Sequence, residues 1–199
     1  MKYFLNIASI RPCTESEGPG KRFAIWCQGC LNRCPGCCNP EMQPIEKKHI
    51  VSVEDLEQLI LDTKKSHNIE GVSFIGGEPF LQAKGLAVLA QWCKLQGLSV
   101  LIFTGYKIAD LESSNIEGSS ELLSSCDILV DGLYNEDEPD NERPWVGSKN
   151  QKVHNISGFY PVGIEYDSHR AMEVLISKDA VLINGWPFEE AFGYFPPEK

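Results

Sequence analysis

The sequence predicts an α/β protein built on a mainly parallel sheet, and three observations carry that expectation. Short apolar runs alternate with segments of helical spacing between Ser52 and Asp131, the pattern of strand–helix–strand crossovers. Turns bearing glycine follow the strand candidates at Gly76-Gly77, Thr104-Gly105 and Asp131-Gly132, and in parallel sheets ligands sit beyond the carboxyl ends of the strands. A chain of 199 residues with 42% apolar content has the size of one domain with a proper core. Its core is expected over about 1–150, with a C-terminal extension over about 151–199.

Taken in order, Tyr3, Leu5 and Ile7 alternate with other residues and read as an opening strand. Pro12 to Gly20 reads as a loop, and Glu17-Gly18-Pro19-Gly20-Lys21-Arg22 lacks the spacing of a phosphate loop. Phe23 to Trp26 form a short strand that delivers a cysteine-rich loop. Ser52-Val53-Glu54-Asp55 starts a helix with a capping box, which Leu56, Leu59 and Ile60 continue to about Ser66. Gly71 to Ile75 is a buried strand ending in Gly76-Gly77-Glu78-Pro79. Gln82 to Gln96 is a second helix, with Leu86, Leu89, Ala90 and Cys93 on one side and Gly97 as its stop. Leu98 to Phe103 is the next strand, Ser120 to Leu123 a shorter helical region, and Ile128 to Asp131 a further strand. Tyr134 to Asn150 is irregular and acidic, with Glu136, Asp137, Glu138, Asp140 and Glu142; it reads as solvated surface, with a docking surface or lid as the alternative. Ala171 to Ser177 and Ala180 to Asn184 read as a hairpin joined at Lys178-Asp179. The aromatic tail from Trp186 to Pro197 is expected to pack on the flank of the fold.

A formal net charge of -10 and a pI near 4.9 disfavour nucleic-acid or acidic-membrane partners, which are bound through Lys and Arg. The charge is uneven. Residues 1–50 hold seven Lys/Arg against four Asp/Glu, and the rest hold eleven against twenty-four, so the cysteine-rich segment is the least acidic part and suits an anionic cluster. Five of the eight cysteines crowd into residues 27–38 while Cys13, Cys93 and Cys126 lie apart. Disulfide scaffolds spread their pairs, so this crowding reads as metal chemistry in a reducing compartment. The start offers no signal-peptide cleavage site, no run approaches the ~18 apolar residues of a membrane span, and the cytoplasm is the expected location. His49, His67, His154 and His169 are scattered and receive no role.

Cys30, Cys34 and Cys37 form a C-x3-C-x2-C triplet. A [4Fe–4S] cube wants one ligand for each iron, so three thiolates leave one iron open for a substrate or cofactor. Two rivals stand beside this reading. Cys27-x2-Cys30 and Cys34-x2-Cys37 also spell the two pairs of a structural zinc site, although only Leu31, Asn32 and Arg33 separate them where zinc ribbons put roughly 15–20 residues. A cluster with Cys27 or Cys38 as fourth ligand would be an electron carrier with no open iron.

The triplet, with Gly18-Pro19-Gly20 and Trp26-x-Gln28-Gly29 upstream and Asn39-Pro40 downstream, resembles the radical S-adenosylmethionine (SAM) enzymes. Within them it resembles the branch that activates anaerobic ribonucleoside-triphosphate reductase. Two positions depart: Gly36 stands where many superfamily members have an aromatic residue, and Cys38 where the branch often has one. The match covers roughly residues 1–150. The resemblance implies an incomplete (β/α) barrel, a [4Fe–4S] cluster on Cys30, Cys34 and Cys37, and SAM chelated through its amino and carboxylate groups. It makes Gly76-Gly77-Glu78 the turn that meets the SAM amino end, since glycines let the backbone come close and Glu78 offers an anionic acceptor. Gly36, Cys38 and Asn39 would lie against the cofactor, and Thr104 and Asp131 would reach its ribose or carboxylate; turn or cap hydrogen bonds are the alternative for these. The implied chemistry is one-electron cleavage of SAM to methionine and a 5'-deoxyadenosyl radical that abstracts a hydrogen atom. The implied partners are a glycyl radical enzyme, foremost an anaerobic ribonucleotide reductase, and a low-potential electron donor such as flavodoxin or ferredoxin. The enzyme alternative is a small radical SAM enzyme acting on another peptide or a small molecule, such as a 7-carboxy-7-deazaguanine synthase.

Overall fold

The computed structural model describes residues 2–167, 171–176 and 181–185. Its strands are β1 (Phe4–Thr14), β2 (Arg22–Cys27), β3 (His49–Ser52), β4 (Gly71–Gly76), β5 (Ser99–Thr104), β6 (Ile128–Asp131), β7 (Lys152–Asn155), β8 (Glu173–Ile176) and β9 (Val181–Asn184). Its helices are α1 (Val53–His67), α2 (Ala83–Leu95), α3 (Ile108–Glu112), α4 (Ser119–Ser124) and α5 (Ile164–Asp167). One seven-stranded sheet has the order β3-β1-β2-β4-β5-β6-β7. Strands β2, β4, β5 and β6 run parallel, flanked by antiparallel β1 and β3 on one side and β7 on the other. This is the mixed α/β architecture with a parallel centre that the sequence predicts.

Strand alternation sorts the parallel strands into two faces, because successive side chains point to opposite sides of a sheet. Phe23, Ile25 and Cys27 of β2, Val72 and Phe74 of β4, and Val100 and Ile102 of β5 share the main core with Leu56, Ile60, Leu86, Leu89 and Cys93 of α1 and α2. The intervening residues Ala24, Trp26, Ile75 and Phe103 gather on the other face, joined by Leu101, Val130 and Trp145. A strand buried on both faces reads as a nearly continuous apolar run, as Ile128-Leu129-Val130 does.

The helices begin and end for local reasons. Ser52 Oγ accepts the Asp55 amide at 3.2 Å to cap α1, and Asn68 at φ 54° closes it, a left-handed position that Asn tolerates. At the amino ends of β2, β4 and β5 the guanidinium of Arg22 is fully buried. It donates to Ser73 Oγ at 2.6 Å, to Ser99 Oγ, Tyr160 Oη and the Pro19 carbonyl at 3.1 Å each, and to the Val72 carbonyl at 2.6 Å. Burial lowers its pKa, and this set of acceptors compensates the buried charge.

Several expectations are corrected. Strand β1 continues to Thr14, through the start of the expected Pro12–Gly20 loop; register shifts at Ile7/Ser9 and Arg11/Thr14 admit Pro12, as bulges do. Strands β3 and β7 and helices α3 and α5 were not foreseen, because four or five residues carry no readable period. In the irregular acidic segment Glu136, Asp137, Glu138 and Glu142 are exposed, but Asp140 is buried against Arg143 at 2.6 Å. Arg143 in turn donates to the carbonyls of Gln151 at 2.8 Å and of Ser148 and Lys149 at 3.3 Å, so this stretch is a folded loop rather than mere solvated surface. Strands β8 and β9 pair antiparallel, Glu173 opposite Asn184. The proposed joint at Lys178-Asp179, the tail from Trp186 and His169 lie outside the described residues. Among the described residues no helix is long and apolar enough to cross a membrane.

Candidate metal centre and its cavity

The cysteine loop leaves the carboxyl end of β2 and is pinned at its root from two sides. The Gly29 amide donates to the Met42 carbonyl at 2.8 Å and the Cys30 amide to the Gln43 carbonyl at 2.9 Å. From the turn after β4, the Gly77 amide donates to the Cys27 carbonyl and the Glu78 amide to the Gly29 carbonyl, both at 2.8 Å. A Cβ at Gly77 would run into the Gly29 carbonyl, so the close approach of these two turns needs glycine. Arg33 at φ 48° and Gly36 at φ 64° coil the loop, and the Cys37 amide closes a turn on the Cys34 carbonyl at 3.3 Å.

Cys30, Cys34 and Cys37 line one cavity of about 430 Å³, together with Gly76, Gly77, Thr104 and Gly105 from the neighbouring strand ends. Trp26, Ile75, Phe103 and Trp145 supply its apolar walls, with the rings of Phe103 and Trp145 edge to face at 6.3 Å. Size does not single it out. A hollow of about 500 Å³ beside β7, lined by Ile128, His154 and Ile164 among others, holds no thiol.

Cys27 is elsewhere. It is fully buried on the helix-facing side of β2, and burial raises its pKa, which keeps the thiol neutral and a poor ligand. The four-cysteine zinc reading and the Cys27-ligated cluster therefore fail on geometry. Among the described residues no three His, Cys, Asp or Glu side chains converge on the position of a single ion. Cys30, Cys34 and Cys37 set apart around one cavity suit a cluster, which spreads its protein ligands over separate irons; Cys38 shares the cavity, so a cluster with Cys38 as fourth ligand stays open on this geometry.

The remaining site candidates divide. Cys38 and Asn39 line the cavity, with Asn39 Nδ2 at 3.3 Å from Cys38 Sγ. Thr104 lines it too, its hydroxyl donating to Glu78 Oε1 at 2.8 Å. Glu78 is only 1% exposed and lies behind the wall. Its Oε1 also accepts the Phe80 amide at 3.0 Å, and its Oε2 accepts the Gly105 amide at 2.9 Å and Asn32 Nδ2 at 3.2 Å. Burial pushes its pKa up while these four hydrogen bonds pull it back. Glu78 thus ties the β4 turn, the β5 turn and the cysteine loop together. Asp131 is also outside the cavity lining, accepting the Ile108 amide at 2.8 Å with His154 Nε2 at 3.1 Å. Gly36 lies outside it as well, against Glu136.

Lining residues not foreseen include Trp26, Ile75, Phe103, Asn32, Ser16, Glu17, Trp145, Gln151 and Asn184. Alternation along the strands carried the signal for the first three. No period marks Trp145 or Gln151, which the folded acidic loop and its end bring in. Glu17 is partly buried, and desolvation, reinforced by Glu173 and opposed by Arg11, pushes its carboxyl up to about 8.

Comparison with known proteins places the chain in a family. The family model described as a 4Fe-4S single cluster domain matches residues 16–154. The anaerobic ribonucleoside-triphosphate reductase-activating protein of Vibrio cholerae is 30% identical over 158 residues, 77% of this chain and 99% of that protein. The protein of that name from Enterobacteria phage T4 is 28% identical over 153 residues, 75% of this chain and 93% of that protein. Among solved structures, QueE from Escherichia coli covers 64% of this chain and 68% of its own, at 19% identity and a TM-score of 0.39. The chain therefore belongs to the 4Fe-4S single cluster domain family and to the family of anaerobic ribonucleoside-triphosphate reductase-activating proteins.

Proposed function

We propose that this protein cleaves SAM reductively and uses the resulting radical to abstract a hydrogen atom from a glycine Cα of a glycyl radical enzyme, an anaerobic ribonucleotide reductase. The observation that carries this reading is that the three triplet thiols open onto the cavity walled by Gly76, Gly77 and Thr104, while Cys27 faces the core. When bound, the [4Fe–4S] cluster supplies the electron that breaks the bond from the SAM sulfonium to C5'.

In this reading Cys30, Cys34 and Cys37 hold the cluster. The Gly76-Gly77 backbone receives the SAM amino end, and Cys38, Asn39 and Thr104 border the cofactor. Glu78 and Asp131 act from behind: Glu78 fixes the spacing between the two turns and the cysteine loop, and Asp131 anchors the start of α3. The apolar walls of Trp26, Ile75, Phe103 and Trp145 exclude water, which a carbon radical requires. The reading extends to an incomplete barrel formed as one domain, a flavodoxin- or ferredoxin-like donor and a cytoplasmic setting.

Anaerobic reconstitution is expected to give about four irons per chain, the content of one cube. Incubation with SAM and dithionite is expected to release 5'-deoxyadenosine. Zinc without iron, or a reduced iron–sulfur protein that leaves SAM intact, would overturn the reading.

A further inference from the structure

Strands β8 and β9 lie beyond the residues 16–154 that the family model matches, yet Ile183, Asn184 and Gly185 line the same cavity as the three cluster cysteines. The strand pair is latched onto the loop between β1 and β2. Glu173 Oε1 accepts the Glu15 amide at 2.9 Å. Asn184 Nδ2 donates to Thr14 Oγ1 at 3.0 Å and to Glu173 Oε2 at 3.3 Å. Gly185, at φ 88°, sits so close that a Cβ there would lie 2.9 Å from Ser16 Cβ.

This junction leaves polar groups facing the cavity without partners. Ser16 is 7% exposed, and its hydroxyl has no hydrogen-bond partner among the described residues. A buried polar atom without a partner costs stability unless a ligand satisfies it. The carbonyl of Glu17, next along the chain and also on the wall, accepts Ser73 Oγ at 2.7 Å, whereas its carboxyl accepts no hydrogen bond from the described residues. The Glu173 carboxylate behind this wall disfavours an anionic ligand here. A hydroxyl that both donates and accepts, beside a carboxyl acceptor, matches the N–H and C=O groups of an extended peptide.

We propose that the β8–β9 pair, seated by Glu173, forms a substrate-selecting wall that reads the backbone of a glycine-containing peptide segment through Ser16 and its neighbours. The inference rests on the reading that a glycine Cα–H of a protein is the hydrogen-atom donor. Glu173 does not line the cavity and acts as a positioning residue.

The test uses the reconstituted full chain with SAM, dithionite and a short synthetic peptide whose central glycine carries deuterium at Cα. Deuterium recovered in 5'-deoxyadenosine reports coupled transfer, and 5'-deoxyadenosine formed without peptide reports cleavage alone. Glu173→Ala and Ser16→Ala are each expected to raise the KM for the peptide about tenfold, the equivalent of one lost hydrogen bond. Glu173→Ala should leave peptide-free cleavage at the wild-type rate, and Glu173→Gln, which keeps an oxygen for the Glu15 amide, should fall between. An unchanged peptide KM, equal loss of both activities, or no deuterium transfer by the wild type would sink the proposal. Absence of 5'-deoxyadenosine from the wild type under every condition would instead remove the reading beneath it.

Discussion

Thr104 Oγ1 donates to Glu78 Oε1 at 2.8 Å, joining the turns that follow two adjacent parallel strands. With the Gly105 and Phe80 amides and Asn32 Nδ2 on the same carboxylate, Glu78 is the buried knot beneath the cavity floor. Truncating it leaves four donors without an acceptor. Glu78→Ala is therefore expected to lower the unfolding free energy by roughly 2–4 kcal/mol, the cost of buried donors left unsatisfied. Urea unfolding of the cluster-free protein checks this, and a loss under about 1 kcal/mol would mean that the knot relaxes without penalty.

Gly77 is held between two backbones. Because a Cβ there meets the Gly29 carbonyl, Gly77→Ala must push the β4 turn away from the cysteine loop, and neither side is a flexible side chain that gives way. SAM affinity of the reconstituted variant is expected to fall by at least about tenfold, or 1.4 kcal/mol, with the iron content less affected. Equilibrium binding measured against the wild type decides the point.

Cys27 and Cys30 are three residues apart and should behave as different kinds of residue. Cys27→Ala removes a core thiol and is expected to keep about four irons while losing on the order of 1 kcal/mol of stability from the small void. Cys30→Ala is expected to lose the cluster and SAM cleavage with the fold retained. Iron analysis and visible absorption of the two variants side by side would expose an error, which equal iron loss in both would constitute.

Glu17 makes stability depend on pH. Its carboxyl is raised from an ordinary 4.5 to about 8, so the folded protein binds a proton more tightly than the unfolded chain does. The stabilisation is complete below about pH 4.5 and is lost as pH rises towards 8. Between pH 5 and 8 the cluster-free wild type is expected to lose about 1–3 kcal/mol more than Glu17→Gln, less than the full shift implies because Glu17 keeps some solvent contact. Parallel curves for the two proteins would refute this assignment.

Much of the fold was legible along the chain. The alternation of strands and helices set the parallel centre, Ile128 to Asp131 came out with the same bounds, and Ser52 and Gly97 marked helix ends by local chemistry. The cysteine triplet was equally local, since its spacing is a property of one loop. Short edge strands escaped because four residues hold too little pattern, and the tethering of Asp140 by Arg143 escaped because charge alone does not distinguish solvated from buried carboxylates.

By itself the sequence determined the strand order's raw material and the three thiols that a soft metal centre demands, because both are written in spacing. Tertiary structure alone decided that Cys27 turns into the core while Cys30 opens onto the cavity, and that Glu78 and Asp131 stand behind the wall rather than on it. It also brought Trp145, Gln151 and Asn184 to the cluster loop from far along the chain. The physical reason is that facing and burial follow from which strands pair and which surfaces close over them, and those contacts join residues whose separation in sequence carries no local signal.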